Sequence, residues 1–235
     1  MTHGAVAVRH LGADFVNSIT SPSWREADIP PAMKATLVFL EKLTLRPEEV
    51  TPLDAKAALD VGVEPIDLEH AVIVLTAFSV INRMVDAFGA DVSDELALQA
   101  GKVLDRAGGL IGKKAKEGVK DPPFAGRIPD YIDAYLTPIR EGEGDAPQDI
   151  RVAIEARVAA SAGTERPTLE LDPVIADFVD KVGGDVFSLQ DEDFANLQAI
   201  GWSEEAIYEF VFVASVGSAM GRFECAWNVI NEAST

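Results

Sequence analysis

The sequence predicts an all-α fold made of a duplicated helical unit, its two halves packed about a pseudo-twofold axis. Three observations predict it. Apolar residues recur at helical spacing in segments opened by proline or by hydroxyl and acidic caps and closed by glycine. No Asn-Gly or Asp-Gly pair joins two alternating runs, so hairpin signals are weak. The chain also matches itself at one constant shift, which sets Gly62 opposite Gly201 and Arg83 opposite Arg222.

Taken in order, Pro30 and Pro31 precede AMKATLVFLEKL, whose apolar residues repeat at helical spacing. Pro47 with Glu48 and Glu49 reads as the first turn of a second helix, because proline suits the first helical position and carboxylates suit the positive end of the helix dipole. That helix runs through Ala55, Ala58 and Leu59 and stops at Gly62. Pro65 opens a long helix over about 65–89, closed by Gly89. Pro129 opens YIDAYLTPIR, Pro147 opens QDIRVAIEARVAASAG and Pro173 opens VIADFVDKVGG. Ser203, followed by Glu204 and Glu205, caps a second long helix over about 203–231. The pieces VIVL and FVFVASV have strand-like composition, but their length and flanking caps favour buried helix.

The self-match is ungapped over the long helices: VGVEPIDLEHAVIVLTAFSVINRMVDAFG lies against IGWSEEAIYEFVFVASVGSAMGRFECAWN. It shares a glycine turn, a serine (Ser79 and Ser218) and an arginine in one register, which two unrelated amphipathic helices would not. Upstream, the helices starting near Pro31 and Pro173 correspond after a gap of about three residues. Two such copies would cross their long helices at the centre. Thr76, Ser79, Arg83 and Asp86 then form one stripe along the first long helix, and Ser215, Ser218, Arg222 and Cys225 form its counterpart. A buried arginine needs a partner, since an unpaired charge costs several kcal/mol. Asp86 lies one turn from Arg83; Arg222 would look to Glu209, Glu224 or an acid of the other half. The stripes either line a small polar cavity between the halves or brace the two helices.

Composition bounds the rest. The 235 residues are 48% hydrophobic and 25% charged, enough apolar material for one large or two small cores. A net charge of -19 repels phosphate backbones and excludes a general nucleic-acid binder. Cys225 is the single cysteine, which excludes an internal disulfide, a CxxC pair and a multi-cysteine metal site. No metal or cofactor is expected, and no GxSxG, HExxH, P-loop or GxGxxG motif is present. No apolar run approaches membrane-span length and no secretion signal opens the chain, so a soluble cytoplasmic protein is expected. Residues 101–127 carry a net positive charge in this acidic chain and contain Lys113, Lys114, Lys116 and Pro122-Pro123. The expected organisation is a first repeat over 1–107, a basic connector over 108–128 and a second repeat over 129–235. The connector is either a solvated linker or a contact for an acidic surface.

The pieces INRMVDAFG and SEEAIYEFVFVASVGSAMGRFECAWN resemble the alkylhydroperoxidase D-like superfamily, which includes the carboxymuconolactone decarboxylases. The resemblance covers about residues 50–90 and 173–230. It implies an all-α fold, a homo-oligomer and a small-molecule site between helices. Peroxidase members use a CxxC pair with a nearby His and Glu; this chain has no CxxC, so no resolving thiol is available within one subunit. The resemblance therefore implies a scaffold that binds a small molecule with its catalysis unknown or lost.

Two enzymatic readings stand beside it. One is a one-cysteine peroxide reductase, with Cys225 activated by Arg222 and an external thiol. The other is a decarboxylase-like lyase using His70 and Glu69, His70 having a suitable intrinsic pKa for a general base. Against these, His70 reads equally as an ordinary first-turn histidine and Cys225 as a small buried hydrophobe.

Overall fold

The computed structural model describes residues 7–8, 11–89, 136–167 and 169–235. Every element of regular structure among them is helical. The chain divides into two compact units, one formed by Met1–Pro30 with Asp91–Gly126 and one by Pro31–Ala90 with Arg127–Thr235. The boundary at Pro30 was not drawn from the sequence. The basic connector, including Lys113, Lys114 and Lys116, lies outside the described residues.

In the first unit the described part is a short helix, α1 (Ala13–Thr20), and a 3-10 turn, Trp24–Glu26. Val16 is the buried residue of α1, and the Arg25 guanidinium lies 4.7 Å from the centre of the Trp24 ring.

The second unit holds both long helices. α2 (Pro31–Leu45) buries Phe39 and Leu43. A 3-10 turn at Pro47–Glu49 follows, then α3 (Pro52–Leu59). The expected helix start at Pro47 is therefore displaced. Thr51 is extended at φ -131° and ψ 164°, as a residue preceding proline tends to be, so a helix begun at Pro47 cannot run through it. Thr51 caps α3 instead, through a capping box with Asp54. Gly62, at φ 92°, makes the turn into α4 (Pro65–Ala87).

Residues 136–141 are helical, with Leu136 and Ile139 buried. α5 (Gln148–Ala160) and α6 (Pro173–Gly183) come next; the Asp172 side chain caps α6 by accepting from Val174 N–H. A 3-10 turn at Val186–Ser188 leads to α7 (Asp191–Ala199), capped by a box between Gln190 and Asp193. Gly201, at φ 102°, turns the chain into α8 (Glu204–Ala233), capped by Ser203 on Ala206 N–H.

The two series keep the offset of the self-match. Pro47 and Val186 open the 3-10 turns, Pro52 and Asp191 open α3 and α7, Gly62 and Gly201 make the positive-φ turns, and Pro65 and Glu204 open the long helices, all in one register. Lys42 binds Asp54 at 2.7 Å, and Lys181 binds Asp193 at 2.6 Å, at positions with the same separation. The register is thus ungapped from Lys42 and Lys181 onward. Upstream, α6 opens at Pro173, three residues past the position that the same offset from Pro31 would give.

α8 is the axis of this unit: α4 packs along one side of it and α5 along another. Gly217 and Gly221 let α5 approach, since a Cβ would stand 2.9 Å from the Glu155 carbonyl oxygen at Gly217 and 2.6 Å from that of Ala159 at Gly221. Phe39, Phe178, Phe210, Phe223 and Met220 fill the core around these contacts.

α4 differs from α8 in cover. Its best 18-residue window has a mean hydropathy of 1.4 and is only 17% buried. By length and composition alone it could cross a bilayer, as many core helices could. The expectation that nothing approaches that length counted uninterrupted runs, which Thr76, Ser79 and Asn82 break without lowering the average much.

Candidate functional site at the long-helix seam

The polar stripes of α4 and α8 carry two arginines that reach across the unit in the same way. Arg83 Nε and Nη2 donate to the Gly183 carbonyl at 3.4 and 3.3 Å, and Nη1 donates to the Ser79 carbonyl at 3.2 Å and to Ser79 Oγ. Arg222 Nε donates to the Thr44 carbonyl at 3.2 Å, and its Nη1 donates to the Ser218 carbonyl at 3.0 Å and to Ser218 Oγ. Thr44 and Gly183 are themselves equivalent positions of the self-match, so each arginine takes the corresponding carbonyl from the opposite series.

Both acceptors lie in the last turn of a helix, Thr44 in α2 and Gly183 in α6. Carbonyls there have no intrahelical donor and carry the negative end of the helix dipole. This is the counter-charge that the sequence reading sought in a carboxylate. Asp86 is exposed and forms no ion pair with Arg83 among the described residues. Glu209 accepts from Ala146 N–H at 2.8 Å, and Glu224 pairs with Arg166. The acid of the other half is Glu48, whose charge supports the Arg222 guanidinium without a direct bond.

Burial pushes Arg83 down to about 10, aided by the like charge of Arg222 and opposed by Asp86. Burial also pushes Arg222 down. Ser218 ties the pair together, because its hydroxyl donates to the Gly183 carbonyl at 2.9 Å while accepting from Arg222. Thr76 and Ser215 sit one turn earlier, fully buried, each returning its hydroxyl to the carbonyl four residues back, at Val72 and Val211.

Among the described residues the stripes therefore brace helices. The crevice between α4 and α8 is bordered by Glu69, Val72, Phe223, Trp227 and Ile230, and is too tight to hold a water molecule.

Cys225 is half-buried, and its thiol donates to the Pro47 carbonyl at 3.3 Å. Burial, reinforced by the charge of Glu48, pushes the thiol up. The lowering expected from Arg222 is thus reversed: that guanidinium faces the end of α2, and a carboxylate stands nearer in effect. Burial likewise pushes Glu69 up, with His70 opposing. His70 Nε2 is buried and has no hydrogen-bond partner. No hydrogen bond joins Cys225 to His70 or Glu69 among the described residues.

A second polar group was missed from the sequence. Glu155, almost fully buried on α5, accepts from Arg140 at 3.0 Å and from Arg166 at 3.4 Å, and Arg166 also pairs with Glu224. The signal lay in RVAIEARVAA, where a charged residue stands among alanines that mark close helix packing. Nearby, Gly144 fits between Glu209 and Arg151, where a Cβ would collide with both. Beside this loop Asp145, Glu204, Glu205, Tyr208, Glu209 and Phe212 border an open groove of about 600 Å³.

Among the described residues, no cluster of His, Cys, Asp and Glu is arranged to hold a metal ion. Compared with known protein families, with curated proteins and with solved structures, the chain shows no match.

Proposed function

We propose that this chain is a two-copy helical scaffold of the alkylhydroperoxidase D-like type that keeps the architecture without the thiol chemistry, and that it binds a small organic cation. The reciprocal arginine exchange supports the duplication and its pseudo-twofold arrangement, because an interaction repeated with both partners shifted by the same offset is what two copies of one unit would make. The state of Cys225 supports binding over peroxide reduction: the thiol is pushed up by burial, held by a carbonyl and without a second cysteine in the chain.

With the seam closed, the ligand belongs in the groove beside the start of α8. Its volume, about 600 Å³, falls within the range of small-molecule sites. Tyr208 and Phe212 offer aromatic faces, and four carboxylates surround them, a combination that suits an ammonium group. Calorimetric titration with a linear polyamine such as spermidine tests this. Saturable binding that is lost in Tyr208→Ala supports it; equal behaviour of a neutral diol of similar length overturns it.

A second reading rests on Glu69, a carboxyl pushed up by burial beside His70, which is suited to proton transfer in a lyase. Turnover of a carboxylated lactone that disappears in both Glu69→Gln and His70→Gln would favour it. Peroxide consumption with an external thiol, abolished by Cys225→Ser, would restore the reductase reading.

A further inference from the structure

We infer, on the cation reading given above, that the ligand of the acidic groove carries an aromatic tail seated in a second groove beside it, so that the class bound is an arylalkylamine. The second groove, of about 280 Å³, is bordered by Phe88 at the end of α4, by Phe194 and Gln198 near α7's outer side, and by Glu204 and Ile207 of α8. Glu204 borders the acidic groove as well, so the two spaces meet at one carboxylate. An aromatic pair stands at the same junction. Phe88 borders the second groove and Tyr208 the first, and their rings stack with centroids 5.4 Å apart and planes 18° from parallel.

The two grooves suit the two ends of one amphipathic cation. The first sets Asp145, Glu205 and Glu209 beside Glu204, so an ammonium placed there keeps its charge compensated. In the second, Glu204 is the one charged border residue, and Phe88 and Phe194 offer ring surface with centroids 6.2 Å apart. Rings associate in offset or tilted contact at such spacings. Phe178, which is buried, holds Phe194 edge to face at 5.1 Å, so this surface is preformed. There is room for a phenyl group, since an apolar cavity of about 150 Å³ takes benzene. A polyamine would bring further charge against these rings, where an aryl group covers them.

Packing two like units does not by itself produce such a site. At the positions that the self-match sets opposite Phe194, Gln198, Glu204 and Glu209, the first series has Ala55, Leu59, Pro65 and His70. Tyr208 answers to Glu69 and Phe88 to Trp227, and the crevice those two border is closed even to water. The open form, rimmed by several carboxylates and lined by stacked rings, belongs to the start of α8.

Calorimetric titration of the full chain with 3-phenylpropylamine, propylamine, 3-phenylpropanol and spermidine tests this. The phenyl amine should bind about tenfold tighter than propylamine. Phe194→Ala and Phe88→Ala should each erase that ratio. Phe88 is 43% exposed at a helix end, so its variant gives the reading even where Phe194→Ala loosens the contact with Phe178 and the fold. Equal affinity of the two amines, or a ratio unchanged in Phe88→Ala, overturns the inference. Where spermidine still binds in that case, the cation reading stands and only the tail is refuted. An alcohol that binds as tightly as its amine, or no binding by any of the four, overturns both.

Discussion

Arg222 shows how a buried cation is held without an acid. Removing its side chain would strand the carbonyl at the end of α2 and take the donor from Ser218 Oγ, which would keep only its bond to the Gly183 carbonyl. Arg222→Ala should therefore cost about 2–4 kcal/mol, read as a lowered urea midpoint, and Arg83→Ala a similar amount. Lysine should not rescue either position, because one ammonium cannot span the helix end and the serine as the guanidinium fork does. A double-mutant cycle between Arg83 and Ser218, which share the Gly183 carbonyl, should show coupling. That these arginines mattered was legible in the sequence, since both fall in one register of a self-match. Their partners were not, because a helix end offers a backbone carbonyl, and no residue type marks which carbonyl comes near in space.

Glu155 makes the complementary case, a buried acid serving two cations. Glu155→Ala should cost about 3 kcal/mol or more, since Arg140 and Arg166 would lose their shared carboxylate, with Arg166 keeping Glu224. A melting temperature unchanged by this substitution would show that water replaces the carboxylate.

At the scale of elements, the two capping boxes give a pH dependence. For Asp54 burial alone would raise the pKa, but hydrogen bonds from Lys42 and Thr51 outweigh it and hold the carboxyl below its ordinary value. Asp193 is held down in the same way by Lys181 and the Gln190 N–H, again against burial. A carboxylate with a folded pKa below its unfolded one contributes stability that is present above about pH 4 and is lost as pH falls through the folded value. Urea midpoints followed from pH 5 downward should therefore decline below about pH 4, and the decline should be shallower in Asp54→Asn with Asp193→Asn. Both groups are near the surface, so the effect is modest.

Most helices were readable from their openings: Pro65, Pro147, Pro173 and Ser203 each stand at or beside the start of one. The start at Pro47 was misplaced because proline and two glutamates suit a 3-10 turn as well as a helix. What decided was the Thr51-Pro52 step, which holds Thr51 extended and so separates the turn from α3.

At the scale of the molecule, hydropathy made both long helices look equally buried. α8 is buried over most of its length, whereas α4 buries Leu68, Val72, Thr76 and Ala87, and on α8 Gly217 and Gly221 admit α5. Gly217→Leu should disrupt that crossing and expose apolar surface, seen as dye binding and a lowered melting temperature. The same insertion of bulk is already present on α4 at Phe78, where it is tolerated. The sequence placed these glycines inside a helix without saying which neighbour needed them.

Because each arginine finishes a helix that belongs to the opposite series, neither series is complete alone. The pieces 31–90 and 127–235, prepared separately, should consequently associate on mixing and recover a cooperative melt that each piece lacks.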